Sequence, residues 1–170
     1  AALYGLGLGE KVAVITDAAQ GMGEAHARLL AEHGARLVIA DLADDRGRQL
    51  ADELGDCAMF VHLDVTDPDN WATLVSDVGA LFGDIDCLIN NAGILIMNSV
   101  EAVAIAEYRK VIEVNQTAPF LGMRAVIPGM KRAGGGSIIN VSSTAGSVGF
   151  VDHFAYVTSK WAVRGMTKAA

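Results

Sequence analysis

The sequence KVAVITDAAQGMGEAHARLLAEH, residues 11–33, decides the fold of this chain. Residues 11–16 form a β-branched apolar run that predicts a strand, and residues 21–33 have helical spacing that places Ala25, Leu29 and Leu30 on one side. Gly21 and Gly23 mark the turn between the two. The order of strand, glycine turn and helix predicts an α/β unit whose backbone can approach a phosphate group.

This order of strand and helix repeats along the chain. We predict further strands at residues 36–40, 58–63, 86–90 and 137–141, and helices at residues 44–54, 66–82, about 100–131 and 154–170. Continuous apolar strands that alternate with amphipathic helices are typical of a parallel sheet covered on both faces. The chain is therefore predicted to be one doubly wound, Rossmann-like α/β domain over residues 1–170, with ligands at the carboxyl ends of the strands.

Composition narrows the class of protein. Hydrophobic residues make up 52% of the 170 residues, and the formal charge of -7 argues against nucleic acid or an anionic membrane as a partner. Cys57 and Cys87 are interpreted as buried free thiols of a reducing compartment. The stretch over residues 1–9 lacks a basic region and is too short for a signal peptide or a membrane span, which predicts a cytoplasmic protein. The four histidines show no metal-ligand spacing, so we predict no metal site.

Acidic and amide side chains follow the predicted strands. Asp41 ends the second strand about 20 residues after the glycines, where a carboxylate binds the adenosine ribose of NAD and repels the additional phosphate of NADP. Asp64 closes the third strand, and Asn90-Asn91-Ala92-Gly93 closes the fourth. By itself Asp41 is equally well explained as an ordinary turn residue. The position of Asp41 favours NAD over NADP as the cofactor.

Tyr156 and Lys160 are four residues apart on the last predicted helix, so both project from one face. A free tyrosine has a pKa of about 10. A cation held close to it favours the phenolate and lowers that pKa. Tyr156 is therefore a candidate general acid for carbonyl reduction and general base for alcohol oxidation. A solvated helix face is the alternative interpretation of such a pair.

The order and spacing of these motifs resemble the short-chain dehydrogenases. Thr16, Gly21 and Gly23 match that family's T-G-x-x-x-G-x-G turn, while Asp17 occupies the first glycine position and brings a carboxylate to an anion site. Gln20 stands where NADP-using relatives often carry a basic residue, which again favours NAD. The resemblance implies that the cofactor is bound by Thr16, Gln20, Gly21, Met22, Gly23, Asp41, Leu42, Asp64, Val65, Asn91, Ala92, Gly93, Tyr156 and Lys160.

The resemblance also implies a catalytic set. Ser143 matches the family serine that hydrogen-bonds the substrate oxygen, with Ser142 as the neighbour in the less favourable phase. Asn115 matches the asparagine that holds a water linking the lysine to solvent. Lys160 matches the residue that binds the nicotinamide ribose, and Tyr156 matches the proton donor.

Within the family, residues 62–66, 125–128 and 159–165 resemble the bacterial 3α(20β)-hydroxysteroid dehydrogenases. The expected substrate is a small alcohol or ketone, with a steroid as one option, and an oxoacyl-carrier-protein reductase is the near alternative. Asp17 also leaves open a non-catalytic nucleotide-binding regulatory protein on the same fold. Met97 and His153 are candidates to touch the substrate, although the first interpretation of Met97 is packing. The other large residues interpreted as packing residues are Met22, Met123, Trp71 and Trp161.

The resemblance further implies features that the 170 residues do not contain. Family members continue with a strand, a loop over the nicotinamide and a substrate lid, so we expect a chain truncated after the catalytic helix and a longer natural protein. A homotetramer is also implied, with the helix from about Val100 and the helix of Tyr156 at the interface.

Overall fold

A computed structural model describes residues 7–170, so residues 1–6 of the N-terminal stretch lie outside the described part. The five strands are β1 Val12–Thr16, β2 Arg36–Asp41, β3 Ala58–His62, β4 Cys87–Asn90 and β5 Ser137–Asn140. They pair in parallel in the order β3-β2-β1-β4-β5. Each predicted strand is confirmed to within one residue at either end. The order reverses between β1 and β4, which makes the sheet a doubly wound, Rossmann-like one.

Helices connect every strand to the next. They are α1 Gly21–Glu32, α2 Asp44–Leu54, α3 Pro68–Leu81, α4 Ile105–Ile112, α5 Ala118–Arg132 and α6 Phe154–Ala169, with short 3-10 helices at Gly55–Cys57 and Thr144–Gly146. The predicted cap of α3 is confirmed, because Asp67 accepts a hydrogen bond from the Asp69 N–H at 2.8 Å and Pro68 is the first helical residue. None of the described helices is long and apolar enough to span a bilayer.

The prediction of one long helix from about Val100 is wrong in two respects, because the helix begins later and is interrupted. The backbone at Ala102 and Val103 turns back to the Ser99 carbonyl, and α4 begins only at Ile105. The Glu107 carboxylate accepts a hydrogen bond from the Ala104 N–H at 3.3 Å, which fixes this start. A π-helical turn, Glu113–Thr117, separates α4 from α5. Pro128 lies within α5, which continues to Arg132.

Alternate residues of the central strands pack into two cores, one on each face of the sheet. Val12 and Val14 of β1 face α3 and α5 in a core that contains Trp71 and Leu74. The second core combines residues of β1, β2 and β4 with residues of α1, α2 and the adjoining loops: Ala13, Ile15, Ala18, Ala27, Ala35, Leu37, Ile39, Leu50, Ala51 and Ile89. Layers on both faces bury the centre of the sheet and leave the strand ends as the place for polar side chains.

The buried side of α1 matches the predicted one only in part, because Leu30 packs against the second core whereas Ala25 and Leu29 do not. Gly23 and Ala27 are buried, whereas Ala25 is exposed and Leu29 is 53% exposed. The small residues let α1 approach the sheet closely, because a Cβ on Gly23 would clash with the backbone of Asp17. Periodicity alone had favoured the larger side chains.

Several large side chains and both cysteines are more exposed than predicted. Met22, Met97 and Trp161, which the sequence suggested as packing residues, are at least half exposed, while Trp71 and Met123 are buried as predicted. The two cysteines are free and half-buried rather than fully buried: Cys57 and Cys87.

Leu74 and Leu29 offer a matched test of the core. We expect Leu74→Ala to lower the free energy of unfolding by about 2–5 kcal/mol, because Leu74 is fully buried and its removal leaves a cavity. Leu29→Ala, on the exposed side of α1, should change it by about 0.5 kcal/mol or less. Urea unfolding of both variants measures the difference, and equal losses would contradict this assignment of the buried faces.

Candidate functional site

The turn between β1 and α1 holds the first group of predicted site residues. Gly21 has a φ of 59°, and a Cβ built there would meet no atom within 4 Å, so the backbone is open to a ligand on this side. No side chain caps the first turn of α1. Uncapped N–H groups at a helix N-terminus form a site for an anion.

Thr16 and Asn91 join the ends of β1 and β4 at the reversal of strand order. The Thr16 hydroxyl accepts hydrogen bonds from the N–H groups of Asn91 and Ala92, both at 3.0 Å. The Asn91 amide donates to the carbonyls of Thr16 and Asp17 at 3.0 and 3.1 Å. Thr16 is therefore buried in the scaffold, and its hydroxyl holds the two strand ends in register rather than pointing to a ligand.

The Asp41 carboxylate is tied to the same turn. It accepts a hydrogen bond from the Ala19 N–H at 2.8 Å and another from the Ala43 N–H at 2.9 Å, and Asp41 is only 8% exposed. Each carboxylate oxygen keeps a second lone pair for a ribose hydroxyl. Leu42, the next predicted residue, is exposed beside it.

Asp64 and Val65 follow β3 on the same edge of the sheet. The Asp64 carboxylate accepts hydrogen bonds from the hydroxyl and the N–H of Thr66 at 2.7 and 2.9 Å, and these bonds lower the pKa of Asp64. The Val65 carbonyl accepts a hydrogen bond from the Trp71 indole at 2.9 Å. The third strand end is therefore fixed by its own turn and by the core.

Tyr156 and Lys160 lie one turn apart on α6, as the sequence predicted. The Lys160 Nζ is 5.6 Å from the centroid of the Tyr156 ring and donates a hydrogen bond to the Val141 carbonyl at 2.9 Å. Lys160 is only 4% exposed, and burial lowers the pKa of its ammonium. The geometry holds a buried cation next to the phenol.

Asn115 lies in the π-helical turn, with its side chain fully engaged. Its Oδ1 accepts a hydrogen bond from the Ile94 N–H at 2.8 Å, and its Nδ2 donates to the Ile94 carbonyl at 2.9 Å and to the Ser159 hydroxyl at 3.1 Å. The Ser159 hydroxyl donates in turn to the Tyr156 carbonyl at 2.7 Å. Asn115 thus connects the segment after β4 to the turn of α6 that carries Tyr156.

Ser142 and Ser143 follow β5 and have different partners. The Ser142 hydroxyl donates to the Lys160 carbonyl at 3.0 Å, whereas the Ser143 hydroxyl accepts from the Ala145 N–H at 3.1 Å and caps the short 3-10 helix. Both serines are half-buried. Only Ser142 lines the cavity described next.

One cavity of about 400 Å³ brings together seven of the sixteen predicted site residues at the carboxyl edge of the sheet. Its walls come from the turn after β1, from the segments after β4 and β5, and from α6. The lining residues are Asp17, Gln20, Gly21, Met22, Asn91, Gly93, Ile94, Leu95, Val141, Ser142, Tyr156 and Lys160. The remaining predicted residues stand outside this lining: Thr16, Gly23, Asp41, Leu42, Asp64, Val65, Ala92, Asn115 and Ser143.

Two observations are consistent with a dinucleotide as the ligand of this cavity. The Asn91 Oδ1 is buried and has no hydrogen-bond partner among residues 7–170, so it is available to a ligand that donates. A Cβ on Gly93 would lie 3.4 Å from the Lys160 Nζ, so any side chain at this position would crowd the lysine ammonium. Two larger cavities lie away from these polar groups. One is lined by residues of α5 and β5, and the other lies near Leu30 and Ile139.

Two residues of the site carried no clear signal in the sequence. Ser159 is fully buried and links Asn115 to α6, yet an isolated serine in a helix does not predict this. Arg46 of α2 donates to the Ala19 carbonyl through Nε at 2.6 Å and pairs with Glu24 at 3.2 Å, which braces the glycine turn from outside. Both residues position others, and such contacts depend on tertiary structure.

His153 lies at the start of α6, where its Nδ1 is 2.7 Å from the Val151 carbonyl, and it is paired with Asn98 by a β-bridge. It therefore stands beside the segment after β4 that carries Leu95 and Met97. Within the described residues no cluster of three or more His, Cys, Asp and Glu side chains has metal-binding geometry.

Ser159→Ala tests the connection between the π-helical turn and α6. We expect the free energy of unfolding to fall by about 1–3 kcal/mol, because the substitution removes the acceptor of the buried Asn115 amide. Ser76→Ala, on the exposed side of α3, is the matched control and should change it by about 0.5 kcal/mol or less. Denaturant titration compares the two, and a stability loss no larger than that of the control would show that this bond is not needed.

The chain is similar in sequence to known proteins along most of its length. The chain is 51% identical to a trans-4-hydroxycyclohexanecarboxylate dehydrogenase of Sinomonas cyclohexanicum, over 95% of this chain and 65% of the relative. It is 45% identical to a 3-alpha-(or 20-beta)-hydroxysteroid dehydrogenase of Mycobacterium tuberculosis, over 94% of this chain and 61% of the relative. It is also 42% identical to a cyclopentanol dehydrogenase of Comamonas testosteroni, over 94% and 65%.

The chain thus spans less than two thirds of the length of these three relatives. The family model described as short chain dehydrogenase matches residues 11–170, which include every predicted site residue. The chain therefore belongs to the short-chain dehydrogenase family.

Proposed function

We propose that the protein is an NAD(H)-dependent oxidoreductase that transfers hydride between nicotinamide and a secondary alcohol or ketone, with Tyr156 as general acid and base. The observation that carries the proposal is that Tyr156 and Lys160 line the same cavity as the glycine turn and Asn91. A bound nicotinamide would accept hydride from the alcohol or return it to the ketone. The chain's own residues must then place the alcohol oxygen and move its proton.

Tyr156 is proposed to exchange that proton. In alcohol oxidation the phenolate takes the hydroxyl proton, and in ketone reduction the phenol returns it. The buried ammonium of Lys160 supports this role, because a cation near the ring stabilises the phenolate that the oxidation direction requires. Lys160 is also proposed to bind the nicotinamide ribose in exchange for its present partner, the Val141 carbonyl.

Ser143 is proposed to donate a hydrogen bond to the substrate oxygen as charge develops there. Its hydroxyl accepts a hydrogen bond from the Ala145 N–H, which leaves the hydroxyl proton for a substrate. Asn115 is proposed to take part in the proton relay from Lys160. Its side chain is already bonded to Ile94 and Ser159, so its contribution to a relay would have to come through its backbone carbonyl.

The choice of NAD over NADP is supported by the charge at the end of β2. The Asp41 carboxylate is held in place by two backbone N–H groups, and a 2'-phosphate beside it would meet a like charge. Gln20 lines the cavity in place of a basic residue. The other cofactor contacts are proposed as the family resemblance implies, except that the Thr16 hydroxyl is already bonded to Asn91 and Ala92.

An alicyclic secondary alcohol is the substrate class that we propose. The names of the three relatives place the alcohol on a cyclohexane, cyclopentane or steroid framework. Ile94 and Leu95 give the cavity an apolar wall, and Met97, at 61% exposure, continues that wall beyond the cavity. Apolar side chains at the entrance favour a ring without charge.

Assembly and location are part of the same proposal. Phe120 of α5 and Trp161 of α6 are large apolar residues that are about half exposed, which supports contacts between helices of different subunits in a homotetramer. The free thiols of Cys57 and Cys87 support a reducing, cytoplasmic location.

Tyr156→Phe tests the proposed general acid and base. We expect kcat for NAD-dependent oxidation of cyclohexanol to fall by about 10²- to 10⁴-fold, while NADH still binds, because only the hydroxyl is removed. Absorbance at 340 nm follows turnover, and fluorescence of NADH follows binding. Tyr108→Phe is the matched control, since Tyr108 stacks on Phe154 outside the cavity, and it should retain activity.

Three outcomes of this experiment are informative. Turnover by Tyr156→Phe at the original rate would remove Tyr156 from the mechanism. Tight binding of NADH without turnover of cyclohexanol, cyclopentanol or a hydroxysteroid would favour a non-catalytic nucleotide-binding protein. Turnover of an oxoacyl thioester in preference to all three alcohols would favour a carrier-protein reductase.

Asp41→Asn tests the choice of cofactor. We expect the ratio of kcat/KM for NAD to that for NADP to fall by about tenfold or more, because the substitution removes a charge that opposes the 2'-phosphate. The ratio is used because any loosening of the turn affects both cofactors. Asp52→Asn, exposed at the far end of α2, should leave the ratio unchanged, and an unchanged ratio for Asp41→Asn would show that specificity lies elsewhere.

A further inference from the structure

Asp17 adopts a backbone conformation that few residues other than glycine take. Its φ is 52°, in the turn that leads from β1 to α1. Aspartate tolerates this left-handed region better than most side chains do, which explains how the turn forms without glycine. The substitution of glycine by aspartate therefore preserves the path of the backbone and adds a carboxyl group to the cavity wall.

The carboxyl group of Asp17 has an unfavourable environment for its charge. Among the residues that the structure describes, none donates a hydrogen bond to it, although its backbone carbonyl accepts one from Asn91. Asp17 is half-buried. Burial raises the pKa of the Asp17 carboxyl, and the nearby Asp41 carboxylate raises it further.

Four charged side chains lie around the turn. Asp41 approaches from β2, Lys160 lines the same cavity from α6 together with Tyr156, and Arg46 of α2 is paired with Glu24 of α1 behind the Ala19 carbonyl. The Lys160 ammonium donates to the Val141 carbonyl, and no Asp17 oxygen is among its partners in the described part of the chain. Within residues 7–170 the Asp17 carboxyl group therefore forms no ion pair.

The same wall is the one that the proposed cofactor needs. The uncapped N–H groups of α1 favour an anion such as a pyrophosphate, whereas an ionised Asp17 repels it. These two requirements conflict only while Asp17 carries its charge. A neutral Asp17 could remain beside the phosphate and donate its proton in a hydrogen bond.

We propose that Asp17 couples dinucleotide binding to proton uptake, so that the chain binds the pyrophosphate with the Asp17 carboxyl neutral and loses affinity as the pH rises. This inference rests on the proposed function in one respect, since it takes the cavity to be the cofactor site. It adds that Asp17 sets the affinity of that site and the pH range in which it is filled.

The direction of the effect follows from linkage. A nearby phosphate raises the pKa of Asp17 above its value in the free protein, so binding takes up a proton between these two values. Affinity is highest below the free-state pKa and falls as the pH rises, until it levels off above the pKa in the complex. The total loss is about tenfold for each unit by which the phosphate raises that pKa.

Three variants separate charge from backbone conformation. Asp17→Asn keeps the size and the tolerance of positive φ and removes the charge, whereas Asp17→Gly also removes any strain of the turn. Asp77→Asn removes a carboxylate from the exposed side of α3 and serves as the matched control. Thermal unfolding verifies that all four proteins are folded.

The experiment is calorimetric titration with ADP-ribose, from about pH 5 to about pH 9, in pairs of buffers with different ionisation enthalpies. The unmodified protein and Asp77→Asn should take up a proton on binding and weaken with rising pH. Asp17→Asn should take up none and bind more tightly near pH 8, by about tenfold for each unit of the pKa change. Asp17→Gly should bind at least as tightly as Asp17→Asn.

Two results would overturn the inference, and they are distinguishable. If the unmodified protein and Asp17→Asn bind ADP-ribose with equal affinity near pH 8 and the same proton uptake, Asp17 does not set the affinity, and the proposed function stands. If no variant, including Asp17→Gly, binds ADP-ribose at any pH, the cavity is not a dinucleotide site and both proposals fail.

Discussion

Hydrogen bonds between Thr16 and the segment Asn91–Ala92 hold this site together. They join the ends of β1 and β4 at the one place where the strand order reverses, where α1 and α5 pack on opposite faces of the sheet. The Asn91 side chain extends the connection to Asp17, and its Oδ1 has no hydrogen-bond partner within residues 7–170. One buried hydroxyl and one amide thereby place the glycine turn beside the segment that approaches Lys160.

The second half of the site depends on the π-helical turn at Asn115. Because this turn is wider than an α-helical one, Asn115 can bond to the Ile94 backbone on one side and to Ser159 on the other. The segment after β4 is thus bonded both to β1 and to α6. A shift of α6 would move Tyr156 relative to the glycine turn, so the distance between Tyr156 and this turn is set by buried amides.

Much of this could be predicted from the sequence, because the strands are apolar runs and the polar residues follow them directly. The bounds of α2, Asp44–Leu54, were predicted without error, since acidic residues begin it and Gly55 follows it. The start of α4 was not, because the turn that closes on Ser99 has no proline or glycine to mark it. The π-helical turn was marked only by a polar residue within a helical pattern, and the positioning role of Ser159 had no local signal at all.

The central claim is that one cavity, at the reversal of strand order, holds the dinucleotide. Backbone amide NMR of the labelled protein during titration with NADH measures this directly, whether or not the protein turns over a substrate. Shifts should concentrate at the turn of Gly21 and Met22, at Asn91–Gly93 and around Tyr156. Shifts concentrated instead at the apolar cavity near Leu30 and Ile139, on the opposite side of β4 and β5, would contradict it.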